Sequence, residues 1–144
     1  PGQTKANTLS HTVITGTDFY PTLLEMLGFP AMPKQHVDGK SFAAALKGKE
    51  QDRGAIYWHF PHYSNHGYQS PGGAIRLGNY KLLEYFENGT VQLFDLQNDI
   101  GEQNDLSKSK PDITKKLLKM LHDWRKEVDA KMPRLNTASN SSNN

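Results

Sequence analysis

Near residue 50 the hydrophobic period of this chain changes, and that change limits the folds open to it more than any other feature. Before it, Phe19, Leu23, Leu24 and Leu27 recur at helical spacing and share one face. After it, Ala55-Ile56-Tyr57-Trp58-His59-Phe60 is rich in β-favouring residues and stops at Pro61, which suits a strand terminus. Further extended segments follow at residues 74–77, 80–87 and 90–96, separated by Gly78-Asn79 and by Asn88-Gly89, the latter a strong two-residue hairpin signal. Together they predict an antiparallel meander. Residues 97–110 are dense in Asn, Asp, Glu, Ser and Lys and read as a turn-rich excursion. Pro111 then opens the longest helix, whose apolar stripe runs through Ile113, Leu117, Leu118, Leu121, Trp124 and Val128 until Met132-Pro133 ends it. The expected fold is α+β, a four-stranded antiparallel sheet packed by a long C-terminal helix.

The first 50 residues have a different logic. Residues 9–15 alternate weakly around Val13 and Ile14 and predict one short strand, turned by Gly16-Thr17. Asp18 stands as N-cap of the following helix, Pro21 is tolerated in its first turn, and Gly28 supplies its stop. Pro30, Pro33 and Asp38-Gly39 make residues 29–40 a loop. Ser41 is placed to cap a short helix through Phe42 and Leu46, closed by Gly48. The organisation expected is therefore residues 1–50, residues 51–133, and a disordered tail over residues 134–144, whose closing run is polar apart from one alanine.

Composition narrows the function. The chain holds no cysteine, which removes disulfide scaffolds, thiolate zinc sites and cysteine nucleophiles. Its 17 Lys and Arg against 15 Asp and Glu leave a net charge of +2, too little for the electrostatic term on which nucleic-acid binders rely. No apolar run approaches the ~20 residues that cross a bilayer. The basic residues from Lys108 to Arg134 are interspersed with Asp112, Asp123, Glu127 and Asp129, and read as the solvated face of the long helix.

One loop concentrates chemistry. Residues 62–73 carry His62, Tyr63, Asn65, His66, Tyr68 and Gln69 just after His59, with no core periodicity. Neutral imidazoles at His59, His62 and His66 offer metal ligation, packing under the sheet, or hydrogen bonding to a polar or anionic ligand such as a sugar. The acidic stretch from Asp95 to Glu102 suggests a calcium loop but has Ile100 where the turn glycine belongs and Leu106 in place of the bidentate Glu, so turns closed by Asx hydrogen bonds fit better. Asn88-Gly89-Thr90 matches a glycosylation acceptor but is read as the hairpin turn. No Gly-x-Ser-x-Gly elbow, phosphate-cradling glycine loop or His-Glu-x-x-His is present.

Taken in order, five segments resemble the last third of the type I sulfatases. They are Thr17-Asp18-Phe19-Tyr20-Pro21-Thr22-Leu23-Leu24-Glu25-Met26-Leu27-Gly28, Asp38-Gly39-Lys40-Ser41-Phe42, Tyr57-Trp58-His59-Phe60-Pro61-His62-Tyr63, Ala74-Ile75-Arg76-Leu77-Gly78-Asn79-Tyr80-Lys81-Leu82-Leu83, and Gln92-Leu93-Phe94-Asp95-Leu96-Gln97-Asn98-Asp99 with Glu102, Asn104 and Leu106. The resemblance covers residues 10–133, with Trp124 on the closing helix. It implies that residues 1–50 are the tail of a large α/β catalytic domain and residues 51–133 its smaller C-terminal subdomain. The helix from Asp18 to Leu27 would then expect a parallel sheet that these residues do not contain, leaving an apolar face open to its partner domain or to self-association.

The family's nucleophile is a formylglycine made from Cys or Ser in a Cys/Ser-x-Pro-x-Arg motif, accompanied by a divalent cation, usually calcium. Neither the motif nor a cysteine is here. The resemblance therefore places formylglycine and calcium in a missing N-terminal catalytic domain, assigns no catalytic or metal residue to this chain, and implies periplasmic or extracellular residence. What it carries over is substrate recognition, with His59, His62, Tyr63, His66 and Gln69 as hydrogen-bond donors to a sulfated carbohydrate. A stand-alone carbohydrate-binding or interaction module is the alternative, and a related phosphatase or phosphonate hydrolase would share the same subdomain.

Overall fold

A computed structural model describes residues 2–64 and 70–134. The chain divides into two compact units, Pro1–Gly54 and Ala55–Asn144. The residue 134–144 tail expected to be disordered lies, after Arg134, outside the described residues.

In the first unit a 3-10 turn at Gly16–Asp18 runs into helix α1, Phe19–Met26, and a one-turn helix α2 follows at Ala43–Leu46. Gly28 adopts φ +74° and stops α1, while Ser41 Oγ accepts the Ala43 N–H at 3.2 Å. The strand expected at residues 9–15 does not form. A strand exists only through pairing, and among the described residues nothing pairs with this segment.

Asp18 holds this unit together, in a manner that differs from the expected cap. It stands at the N-cap of α1 but donates no lone pair to the helix N–H groups. Its carboxylate, 1% exposed, instead accepts the Thr15 and Lys40 amides, each at 2.8 Å, and both Nε and Nη2 of Arg53 at 2.8 Å. A guanidinium fork outcompetes a local amide because it delivers two charge-assisted bonds to one carboxylate. The Asp18 carbonyl accepts Thr22 Oγ1, which in turn accepts the Phe42 amide at 3.0 Å. Gly39 passes so close that a Cβ there would meet the Thr17 carbonyl at 2.4 Å. Two polar side chains thus tie α1, the loop after it and the approach to residue 54 into one knot.

The second unit is the expected meander. Strands β1 (Ile56–Phe60), β2 (Gly72–Leu77), β3 (Tyr80–Tyr85) and β4 (Val91–Asp95) pair antiparallel in chain order. Leu77 pairs with Tyr80 across a two-residue turn in which Gly78 takes φ +57°, as a tight hairpin requires. The β3–β4 connection is longer than the Asn88-Gly89 signal implies. Residues 86–89 form the loop, closed by Gly89 N–H to Tyr85 O and by Tyr85 N–H to Thr90 O, both 2.9 Å. The reason is that Phe86 N–H is drawn to the Pro71 carbonyl at 2.9 Å, which commits that residue to a neighbouring loop.

Alternation then decides the faces. Tyr57, Ile75, Leu82 and Leu93 lie in register on one side, and helix α3, Pro111–Glu127, covers them with Leu117 and Leu121. Trp124 stacks on Tyr57 with ring centroids 4.8 Å apart. Helix α3 ends before Met132-Pro133, because Asp129 takes a left-handed φ of +48° and Ala130 N–H closes back on the Arg125 carbonyl, leaving Val128 half exposed. The excursion after β4 is built from Asx turns as expected. Asp99 accepts the Gln103 and Asn104 amides at 3.1 and 2.8 Å, and Asp105 accepts those of Leu93 and Ser107.

Arg125 departs from its expected place on a solvated face: it is 8% exposed and forms an ion pair with Glu84 of β3. Glu84 also accepts His122 Nε2 at 2.8 Å, so one carboxylate clamps two turns of α3 to the sheet. Burial pulls the Glu84 carboxyl upward, but Arg125 and His122 outweigh it and hold it below its ordinary value. Asp18 follows the same pattern, burial opposed and overcome by Arg53 and the Lys40 and Thr15 amides.

Breaking either pair from one side should leave a buried charge uncompensated. Arg53→Ala is expected to destabilise the first unit, and Glu84→Gln, which strands Arg125, the second, each by about 3 kcal/mol in urea unfolding at pH 7. Both native carboxyls titrate below their unfolded values, so their contribution is complete above about pH 5. It should decline as pH falls through the ordinary carboxylate range near 4 and vanish below the depressed native values. Unfolding curves collected between pH 7 and pH 3 check this, and a pH-independent cost of either substitution would contradict it.

Candidate functional site

The strand directions bring three connections to one end of the sheet: the β1–β2 loop, the β3–β4 loop and the segment after α3. The described ends of the β1–β2 loop meet the β3–β4 loop, Tyr63 through Glu87 and the Pro71 carbonyl through the Phe86 N–H. His59, near the end of β1, shares the helix-facing side of the sheet with Gly73 and Glu84. Its Nε2 lies 2.9 Å from the Lys131 carbonyl and its ring 5.4 Å from that of Phe86. A carbonyl only accepts, so Nε2 carries the proton in this bond, and the buried Nδ1 has no hydrogen-bond partner among the described residues. His59 therefore joins the end of β1 to the segment leaving α3.

His62 is exposed, its ring set edge-on to Phe60 with centroids 5.9 Å apart. Tyr63 is 67% exposed, and its hydroxyl donates to Glu87 Oε1 at 2.7 Å. That bond to a carboxylate pushes the phenol above its ordinary value and keeps it protonated. His66 and Gln69 lie outside the described residues. Of the five predicted contacts, then, three are placed at this end of the sheet: His59 turned toward the helix layer, His62 and Tyr63 turned to solvent.

The same end holds a cavity of about 480 Å³ lined by Tyr63, Pro71, Phe86, Glu87, Met132 and Arg134 among others. Phe86, Glu87 and Arg134 were not legible as site residues. Phe86 reads as the tail of a strand and Arg134 as part of a basic run, and only the meeting of three distant segments makes them neighbours. Arg125 stacks its guanidinium 4.9 Å from the Phe86 ring centroid, fixing that wall. Among the described residues no group of three His, Asp or Glu is arranged to hold a metal ion. The sequence holds no cysteine and no Ser-x-Pro-x-Arg motif.

Comparison with known proteins bears on the whole chain. The family described as N-sulphoglucosamine sulphohydrolase, C-terminal, matches residues 1–127. A sulfatase of Formosa agariphila is 33% identical over 140 residues, covering 86% of this chain and 25% of the relative. A Δ4,5-hexuronate-2-O-sulfatase of Bacteroides thetaiotaomicron is 33% identical over 92 residues, covering 63% of this chain and 19% of the relative. Among solved structures, Ps i-CgsB superposes with a TM-score of 0.67 at 26% identity over 90% of this chain and 28% of its own. The chain thus spans about a quarter of the length of the curated sulfatase it matches over the longest stretch. With a family match that crosses both units, the chain belongs to the family described as N-sulphoglucosamine sulphohydrolase, C-terminal, a sulfatase C-terminal region.

Proposed function

We propose that this chain is the C-terminal part of an exported sulfatase that hydrolyses sulfate esters of sulfated carbohydrates. In this reading it forms a rim of the substrate cleft and leaves bond cleavage to polypeptide outside these residues. The observation that carries the reading is the family match over residues 1–127, which runs through both units rather than through one borrowed module. The names of the relatives point to the substrate class: one is a hexuronate-2-O-sulfatase, and Ps i-CgsB has been solved in complex with k-i-k-neocarrahexaose. Formylglycine and calcium are assigned to the outside polypeptide, since these 144 residues hold neither a cysteine nor a Ser-x-Pro-x-Arg motif.

The chemistry of the rim is hydrogen bonding and stacking. His62 presents an N–H donor at the open end of the sheet, and Tyr63, whose one O–H is given to Glu87, offers the lone pairs of its oxygen and a ring that lines the cavity with Phe86. Such groups orient a sugar ring so that the ester to be cleaved meets the catalytic centre, which accelerates reaction through positioning. The apolar face of α1 supports a larger assembly. Phe19, Leu23 and Leu27 are 53, 54 and 69% exposed, more apolar surface than one short helix ordinarily leaves in water. The partner is the catalytic domain, whose parallel sheet that face would meet.

In the full-length enzyme His62→Ala should lower kcat/KM on a sulfated oligosaccharide by about tenfold, the scale of one lost hydrogen bond to a charged group. The thermal midpoint should be unchanged because the side chain is exposed. Unaltered kinetics in a folded His62→Ala enzyme would remove the rim role while leaving the family assignment intact.

A further inference from the structure

The two edges of the sheet are finished differently. At β4 the excursion after the strand folds back: Leu106 N–H donates to the Leu93 carbonyl at 2.7 Å, and the Leu93 N–H donates to Asp105 Oδ1 at 3.0 Å. The outward backbone groups at the middle of that edge are consumed. At β1 nothing comparable occurs, and among the described residues its backbone hydrogen bonds go to β2 alone. The segment Ile56-Tyr57-Trp58-His59-Phe60 carries no formal charge, no proline and no bulge to discourage pairing. Natural sheets blunt a free edge by one of those devices, or cover it.

The outward face of the same strand is also bare. Trp58 and Phe60 point away from α3, in register with Ala74 and Gly72 of β2 and then Leu83 and Tyr85 of β3. They are 45 and 38% exposed and wall a groove of about 290 Å³ whose floor is glycine and alanine. A floor with no side chain larger than a methyl between aromatic walls accepts a chain lying flat across it. An open hydrogen-bonding edge and an open aromatic face meet on one strand of five residues, which is the signature of a seam.

We propose that β1 is the seam along which the larger sulfatase closes on this subdomain. An extended segment of the same polypeptide, from the part outside these 144 residues, pairs with the free edge of β1 and covers Trp58 and Phe60. The proposal rests on the reading of this chain as part of a longer sulfatase, and the length relation supports it. About three quarters of the Formosa relative has no counterpart here, enough polypeptide to supply a strand and the layer behind it.

Hydrogen–deuterium exchange on the intact full-length protein tests it without any isolated part. If β1 is paired on both sides, its amides should exchange as slowly as those of β2 and β3, which are central. If the edge is free, the outward-facing half of the β1 amides should exchange at least 100-fold faster than the central strands, and the proposal is overturned. Slow exchange that speeds up on dilution would mean that a second copy occupies the edge, which also overturns it. Trp58→Lys gives an independent reading, with the midpoint of full-length unfolding expected to fall by 5 °C or more if the side chain is covered, and to stay unchanged if it is not. A full-length protein that lacks sulfatase activity but shows slow β1 exchange would refute the enzymatic reading alone, so the two failures are separable.

Discussion

Burial of one layer of side chains between the sheet and α3 underlies everything else in the second unit. Ile75, Leu82 and Leu93 come from three adjacent strands and Leu117 and Leu121 from successive turns of the helix, and none is more than 2% exposed. A layer this thin leaves little redundancy, since a small unit has few fully buried residues from which to draw its hydrophobic stabilisation. It also sets the register. A one-residue slip of any strand would turn that strand's contribution outward, and the three loops at the functional end would no longer meet.

Each unit also places a small number of buried charges, and each of these is paired with an opposite charge. Glu84 locks α3 to β3 through Arg125 and His122, and Asp18 locks the first unit through Arg53 and two amides. Such pairs add modest net stability compared with an apolar replacement, but breaking one side is costly. Their effect is to make the arrangement unique: Glu84 can meet Arg125 in only one setting of the helix, and that setting also holds Phe86 against the cavity at the end of the sheet. The polar clamp and the candidate site are in this sense one construction, and the site's wall is as firm as the clamp behind it.

Much of the architecture was legible because it is written in local periodicity. The four strands and the long helix follow from alternation, from Pro61, Gly78-Asn79 and Pro111, and from the stripe ending at Trp124. Where the reading missed, a distant segment had overruled a local preference. Residues 9–15 carry a strand's alternation but have no partner to pair with among the described residues. Asn88-Gly89 signals a two-residue turn, yet Phe86 is taken by Pro71 and the loop widens. Arg125 sits in a basic run that looks solvated, and only its pairing with Glu84, on β3 and 41 residues earlier in the chain, explains its burial.

The candidate site shows the same division more sharply. Sequence by itself determined that residues 59–69 are rich in donors and aromatics, that no cysteine chemistry is available, and which elements flank the loop, since these depend on residue identity and on periods of two and 3.6. Tertiary structure decided that His59 turns toward the helix layer and anchors the segment after α3, that Tyr63 engages Glu87, and that Phe86 and Arg134 join them around a cavity. Those outcomes depend on which segments the meander and the returning helix bring to one end. Long-range proximity of that kind is created by burying the common core, and no local run of residues encodes it.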